Sequence, residues 1–378
     1  VNLLKSDLRH SPEFLVDALG LDSLRSLAII GMGKNAGKTT VLNHLLNAIR
    51  QMKSKRVVAV TSIGLDGEDE DIVTGGVKPR IYLTEGALLA TSCGSLNKCD
   101  AVIEILALTG IHSATGEIAI GHMRTNGYVE LAGPSIARDV ATCERYCREM
   151  EENCLFIVDG ALSRKSPAGG GLTESAILVA GAANASSLEA LATETARQVL
   201  FLTLPSVGEQ KKDKFRESME EHPTHRAIFL SVADDPAALR AERVSSPSER
   251  TARSRSLPLG SVIGEGKTIA LELRKDDTAL LLRGAITDNV LEYLLSDSDF
   301  ADMTLVAEDG TRFFLSDKAV RQLRQRSVDL AVLSELSLPL ICVNPMRRDG
   351  STVEREDILE AIKSVVDVPV CELGPALV

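Results

Sequence analysis

The chain has no tryptophan and only 3% aromatic residues among its 378. Its cores must therefore be aliphatic, and it has little material for aromatic cages or base-stacking platforms. No apolar run approaches the ~20 residues that cross a bilayer, and the N-terminal stretch has no signal-peptide pattern, so a soluble, cytoplasmic protein without membrane contact is expected. No Lys/Arg-rich face is evident and the net charge is −11, which argues against a nucleic-acid partner. The seven cysteines are odd in number and lack framework spacing, which suits a reducing compartment. No Asn-Lys-x-Asp guanine signature occurs, which tilts a nucleotide reading toward ATP. No Ser/His/Asp spacing or paired acid/base motif identifies an acceptor site for group transfer.

What is present begins with Leu27-Ala28-Ile29-Ile30-Gly31-Met32-Gly33-Lys34-Asn35-Ala36-Gly37-Lys38-Thr39-Thr40, read as a buried strand, a glycine-rich loop and a helix start. Backbone N–H groups of Gly33, Lys34, Asn35, Ala36 and Gly37 can wrap a polyphosphate, and the helix N-terminus adds its positive dipole end. Lys38 would reach the outer phosphates, Thr39 would ligate Mg²⁺, and Thr40 completes the first turn. Val41, Leu42, Leu45, Leu46 and Ile49 recur at helical spacing. One residue departs from the common spacing: Met32 stands where the first glycine is expected, between Gly31 and Gly33.

Carboxylates that a Mg²⁺-nucleotide site needs follow at two places. Strand Arg56–Gly64 runs into Leu65-Asp66-Gly67-Glu68-Asp69-Glu70-Asp71, where Asp66 and Asp69 are candidates to orient water or hold hydrated Mg²⁺, against the alternative of a solvated acidic loop. The apolar run Cys154–Val158 ends in Asp159-Gly160-Ala161, the pattern of a strand-terminal Asp that holds Mg²⁺ indirectly. Cys143 and Cys147, four apart on one helix with Cys154 beyond, invite a metal reading; without a second ligand pair, buried small hydrophobes are the expected role.

Elsewhere the spacing predicts hairpins over 81–91 and 117–133, a helix at 100–108, a helix from Pro134 to about Glu151, and a strand at 176–183 followed by a helix capped by Ser186/Ser187. The expected domains are a helical leader over 1–26 that packs on the main domain, a P-loop nucleotide-binding domain over 27–205, a charged linker over 206–257, and a C-terminal α/β domain over 258–378. The fold class is thus α/β, a P-loop NTPase domain with a mostly parallel sheet and hairpin insertions, then a second α/β part. Asn344-Pro345, at a strand end, either reads a base or forms a turn.

Taken together, Gly33–Thr40, Thr61–Glu68, Lys78-Pro79-Arg80-Ile81-Tyr82, Asp159-Gly160-Ala161, Arg283–Asp288, Thr311–Ser316 and Val343-Asn344-Pro345 resemble the ATPase subunit of bacterial lysine aminomutase reactivating factors, over most of the chain. The resemblance implies an ATP- and Mg²⁺-using protein that restores an adenosylcobalamin-dependent aminomutase with a second reactivase subunit. The glycine-rich core is also similar to that of the molybdopterin-guanine dinucleotide biosynthesis adaptor. Val158–Ala161 and Lys78-Pro79 resemble dethiobiotin synthetase, which has Glu at the Asp159 position and its Lys-Pro nearer the loop. The expected function is a regulatory, chaperone-like ATPase; a small-molecule kinase or ATP-dependent ligase, and a nucleotide-binding module with negligible turnover, are the alternatives. A homodimer is compatible with all three.

Overall fold

The computed structural model describes residues 12–52, 56–63, 80–161, 173–232 and 252–373. Asp66, Asp69, Lys78 and the basic, glycine-rich stretch 163–171 lie outside them. The described chain is α/β and divides into two compact units, residues 1–200 with 336–378, and residues 201–335.

The first unit opens with helix α1 (Pro12–Leu19), strand β1 (Ser26–Gly31) and helix α2 (Lys38–Gln51). Then come β2 (Val58–Ser62), β3 (Ile81–Leu83), β4 (Leu88–Ser92), the short α3 (Cys93–Leu96), β5 (Ile103–Ser113), β6 (Gly116–Met123), β7 (Gly127–Val129), α4 (Ala137–Met150), β8 (Leu155–Ala161), β9 (Ser175–Gly181) and α5 (Leu188–Leu202).

The second unit comprises α6 (Glu209–Glu221), β10 (Ala227–Val232), β11 (Ala252–Leu257), α7 (Gly266–Ala270), β12 (Asp277–Leu282), β13 (Ile286–Thr287), α8 (Asp288–Ser296), β14 (Thr304–Ala307), β15 (Phe313–Phe314), α9 (Asp317–Gln325) and β16 (Asp329–Val332). The chain then returns to the first unit as β17 (Ser337–Asn344), α10 (Arg355–Lys363) and β18 (Val370–Glu372).

The first sheet has the order β18-β17-β9-β1-β8-β2-β4-β6-β5. It is parallel from β18 to β4, and β6 and β5 add an antiparallel hairpin at one edge. β1 and β9 are buried over their whole length and β8 from Leu155 to Val158, which is why these strands read as continuous apolar runs. Alternation sorts their side chains. Leu27, Ile29, Val60, Ile157, Val179 and Cys342 share one core with Leu15 and Leu19 of α1 and Leu42 and Leu45 of α2. The expected packing of the leader segment on the main domain is thus seen for α1. Ala28, Ile30, Phe156, Val158 and Leu178 face the opposite side.

In the second unit the sheet order is β11-β10-β12-β14-β16, with β12, β14 and β16 parallel and β10 antiparallel to both of its neighbours. Val207 and, from α6, Phe215 and Met219 cover one face against Ile228, Leu230, Leu281 and Val306.

Several expected elements differ. The 81–91 hairpin does not form: β3 pairs with β7, while β4 joins β2 in parallel. The 117–133 hairpin is likewise replaced, because β6 pairs with β4 and β5. Residues 103–113, expected to start helical, are a strand, as β-branched Ile103 and Ile105 favour. Part of the charged 206–257 segment is helix α6 and strand β11. The C-terminal domain expected over 258–378 is not continuous, since 336–378 supplies β17 and β18 to the first sheet.

Candidate functional site

The site lies at the carboxyl end of β1, where the connections leave in opposite directions: α2 leads past β8 to β2, and β9 lies on the other side of β1. Such a reversal opens a crevice at the strand ends of a parallel sheet. The 31–38 loop fills this position. Gly37 caps α2 with φ +104, a conformation that strains a residue with a Cβ, and Asn35 also has positive φ at +61. No side chain caps α2 at Gly37 and no acidic residue sits in its first turn, so the N–H groups of this 14-residue helix are left for another acceptor. Successive turns of this hand make the backbone concavities that bind anions.

Lys38 is 8% exposed, and its stem lies across Gly31 so closely that a Cβ there would come within 2.8 Å of the lysine Cγ and Cδ. Its Nζ folds back into the loop, 3.5 Å from the Gly33 carbonyl oxygen. A buried ammonium held by one long contact is poorly compensated unless an anion joins it. Thr39 and Thr40 occupy the first turn of α2.

Met32 takes the place of a glycine without blocking the loop. Its N–H donates to the Val179 carbonyl at 3.0 Å, extending the β1–β9 ladder, and its sulfur accepts from the Thr195 hydroxyl of α5 at 3.4 Å. The side chain is thereby drawn to the face opposite the Gly31–Lys38 contact.

Asp159 pairs in register with Ile29 of β1 and Ser62 of β2, and Ile29 belongs to the α2-covered face. Directly paired residues of neighbouring strands share a face, so Asp159 lies on the same side as Gly31 and Lys38, one row below Gly31. It is partly exposed, and its carbonyl accepts from Ile63 N at 2.8 Å. The other two carboxylates singled out from the sequence, Asp66 and Asp69, lie outside the described residues, while Arg80 sits at the surface, paired with Asp100 at 3.2 Å.

The opposite flank contains residues that local patterns did not reveal. After β9 a 3₁₀ turn, Ala182–Asn184, carries Asn184, whose Nδ2 donates to the Lys34 carbonyl at 2.8 Å. Arg348 Nε donates to the Ala183 carbonyl at 2.7 Å. Asn344 ends β17 with its amide against Gly37, and its Oδ1 accepts from Met346 N at 3.1 Å. Asn344 therefore does form a turn, and it stands at the loop as well. The only signal for Asn184 and Arg348 in the sequence is their place just beyond apolar strands.

The cysteines fall in the interior. Cys143, Cys147 and Cys154 are fully buried, and burial pushes the Cys143 thiol up to about 12 and raises the other two, as expected of inert small hydrophobes. Among the described residues no helix is long and apolar enough to cross a membrane. Comparison with protein-family models returned no match, and comparison with curated proteins returned none.

Proposed function

We propose that the first unit is a P-loop NTPase domain that binds Mg-ATP at the 31–38 loop. The observation that carries this reading is Lys38: a buried lysine laid over Gly31 and turned back into the 31–38 loop, on the same face as a strand-terminal carboxylate. The residues present suit a polyphosphate in charge and in space. Gly33, Lys34, Asn35, Ala36 and Gly37 line it with backbone donors, Lys38 takes the outer phosphates, and Thr39 and Asp159 stand where Mg²⁺ is held, directly and through water. When bound, Mg²⁺ neutralises charge on the phosphate oxygens. Asp66 or Asp69 is assigned, from its place in the sequence after β2, to orient the attacking water.

The activity assigned is ATP hydrolysis by a regulatory, reactivating ATPase that acts on an adenosylcobalamin-dependent aminomutase; the resemblance in sequence alone supports that partner and the second reactivase subunit. Phosphate release by the purified protein, alone and with the aminomutase, tests this. Stimulation by the aminomutase supports it, whereas rapid turnover with a metabolite acceptor replaces it with a kinase or ligase.

A further inference from the structure

The chain between β17 and α10 is a small hairpin of its own. Met346 and Thr352 form an antiparallel bridge, Arg347 N donates to the Ser351 carbonyl at 2.8 Å, and Gly350 N donates to the Arg347 carbonyl at 3.2 Å, closing a turn with Arg348-Asp349 at its centre and Gly350 at φ +81. This hairpin is placed by residues beside the glycine-rich loop: it starts two residues after Asn344 and is tied to the 182–184 turn by Arg348.

Two of its side chains are out of keeping with a plain surface turn. Met346 is an exposed large apolar residue, 53% accessible, and Arg348, also exposed, spends one N–H on a backbone carbonyl. Met346 stands on the first arm and Arg348 two residues on, at the turn, where its Nε is directed to the 182–184 side. The hydrogen bond to Ala183 lies in the guanidinium plane and leaves the flat faces of the group for stacking.

The sheet order gives this face a direction. Asp159 is on β8, to one side of β1, while Asn184, Asn344 and Arg348 follow β9 and β17 on the other. A triphosphate with its terminal phosphate between Lys38 and Asp159 must carry its sugar and base away over β9 and β17. Two strand spacings are roughly 10 Å, the scale of a nucleotide's reach from phosphate to base. The tyrosines with ring contacts are engaged elsewhere: Tyr82 packs edge-on against Tyr128, and Tyr146 lies under Arg145.

We propose that Met346 and Arg348 form the base-side shelf of the nucleotide site, with the nucleobase resting on the Met346 side chain and flat against the Arg348 guanidinium. This rests on the phosphate reading of the 31–38 loop. Thioether and guanidinium do here what a tyrosine or tryptophan does in aromatic-rich sites.

The test separates base from phosphate. Calorimetric affinities for Mg-ATP and for Mg-tripolyphosphate, which has no base, are compared for the wild type, Arg348→Ala, Met346→Ser and Lys38→Ala. Arg348→Ala and Met346→Ser each weaken Mg-ATP about tenfold and leave tripolyphosphate within about twofold. Unchanged Mg-ATP affinity in both variants overturns the shelf, and so does an equal loss for both ligands, which would place these residues on the phosphate loop. If Lys38→Ala binds both ligands as tightly as the wild type, the phosphate reading itself is what fails.

Discussion

The two units place different chemistry at the same point of a parallel sheet. In the first, the carboxyl ends of β1 and β9 lead into the glycine-rich loop and the 182–184 turn, with one buried lysine folded over Gly31. In the second, the space beyond β12 and β14 is occupied by charges that pair with one another. Arg283 Nε lies 3.7 Å from Glu308, Arg312 lies 3.5 Å from Glu308, and Arg312 Nε lies 3.3 Å from Asp309. Asp309 is buried and accepts from Thr311 N at 2.8 Å, and burial raises its carboxyl above the usual range despite Arg312. The strand ends of the second unit are lined by paired charges, whereas those of the first carry a glycine-rich loop with a buried lysine.

Substitutions in either unit can overturn that contrast. The largest effect is expected for Asp159→Asn, which should lower Mg²⁺-dependent ATP hydrolysis about a hundredfold, close to ~2.7 kcal/mol, while nucleotide affinity changes only severalfold. Steady-state phosphate release beside calorimetric binding checks it, and hydrolysis equal to wild type removes Asp159 from the site. Asp309→Asn should instead cost stability, about 2–3 kcal/mol, by leaving partly buried Arg312 without one of its carboxylate partners, and should leave Mg-ATP affinity intact. Urea denaturation with a parallel ATP titration distinguishes the two losses.

Gly37→Ala comes next. A Cβ forced into φ +104 and against the Asn344 amide costs about 1–2 kcal/mol, and the loss should appear in nucleotide affinity more than in melting temperature. At the small end, Arg145→Ala removes a surface i,i+4 pair with Glu149, 2.7 Å long with both partners about half exposed. It should shift stability by roughly 0.3 kcal/mol and leave ATP binding unchanged. An effect as large as that of Asp309→Asn would contradict the ranking of buried over exposed charge.

Much of the first unit is legible in its sequence because the signals are local. The unbroken apolar runs of β1, β8 and β9 follow from burial on both faces, and Gly37-Lys38-Thr39 marks a strand-to-helix turn. The apolar stripe of α2 is equally plain. Pairing is not local, however, so the runs at 81–83 and 88–92 look like a hairpin although their partners are β7 and β2. Residues 337–344 carry no mark that they return to β9 after the whole of the second unit. For the same reason Asn184 and Arg348 stay hidden: each acts on the glycine-rich loop or its supporting turn from a strand end far away in sequence. Helix α6 hides differently, since Phe215 and Met219 are its main apolar anchors among charged neighbours.

The central claim is that Lys38 is buried for the sake of a phosphate. Mg-ATP titrated calorimetrically into the wild type and into Lys38→Ala tests it most directly, with melting temperatures recorded on the same samples. Saturable binding to the wild type, an affinity loss of roughly a hundredfold or more in Lys38→Ala, and closely similar melting of the two ligand-free proteins are expected. Equal affinity in the two would contradict it.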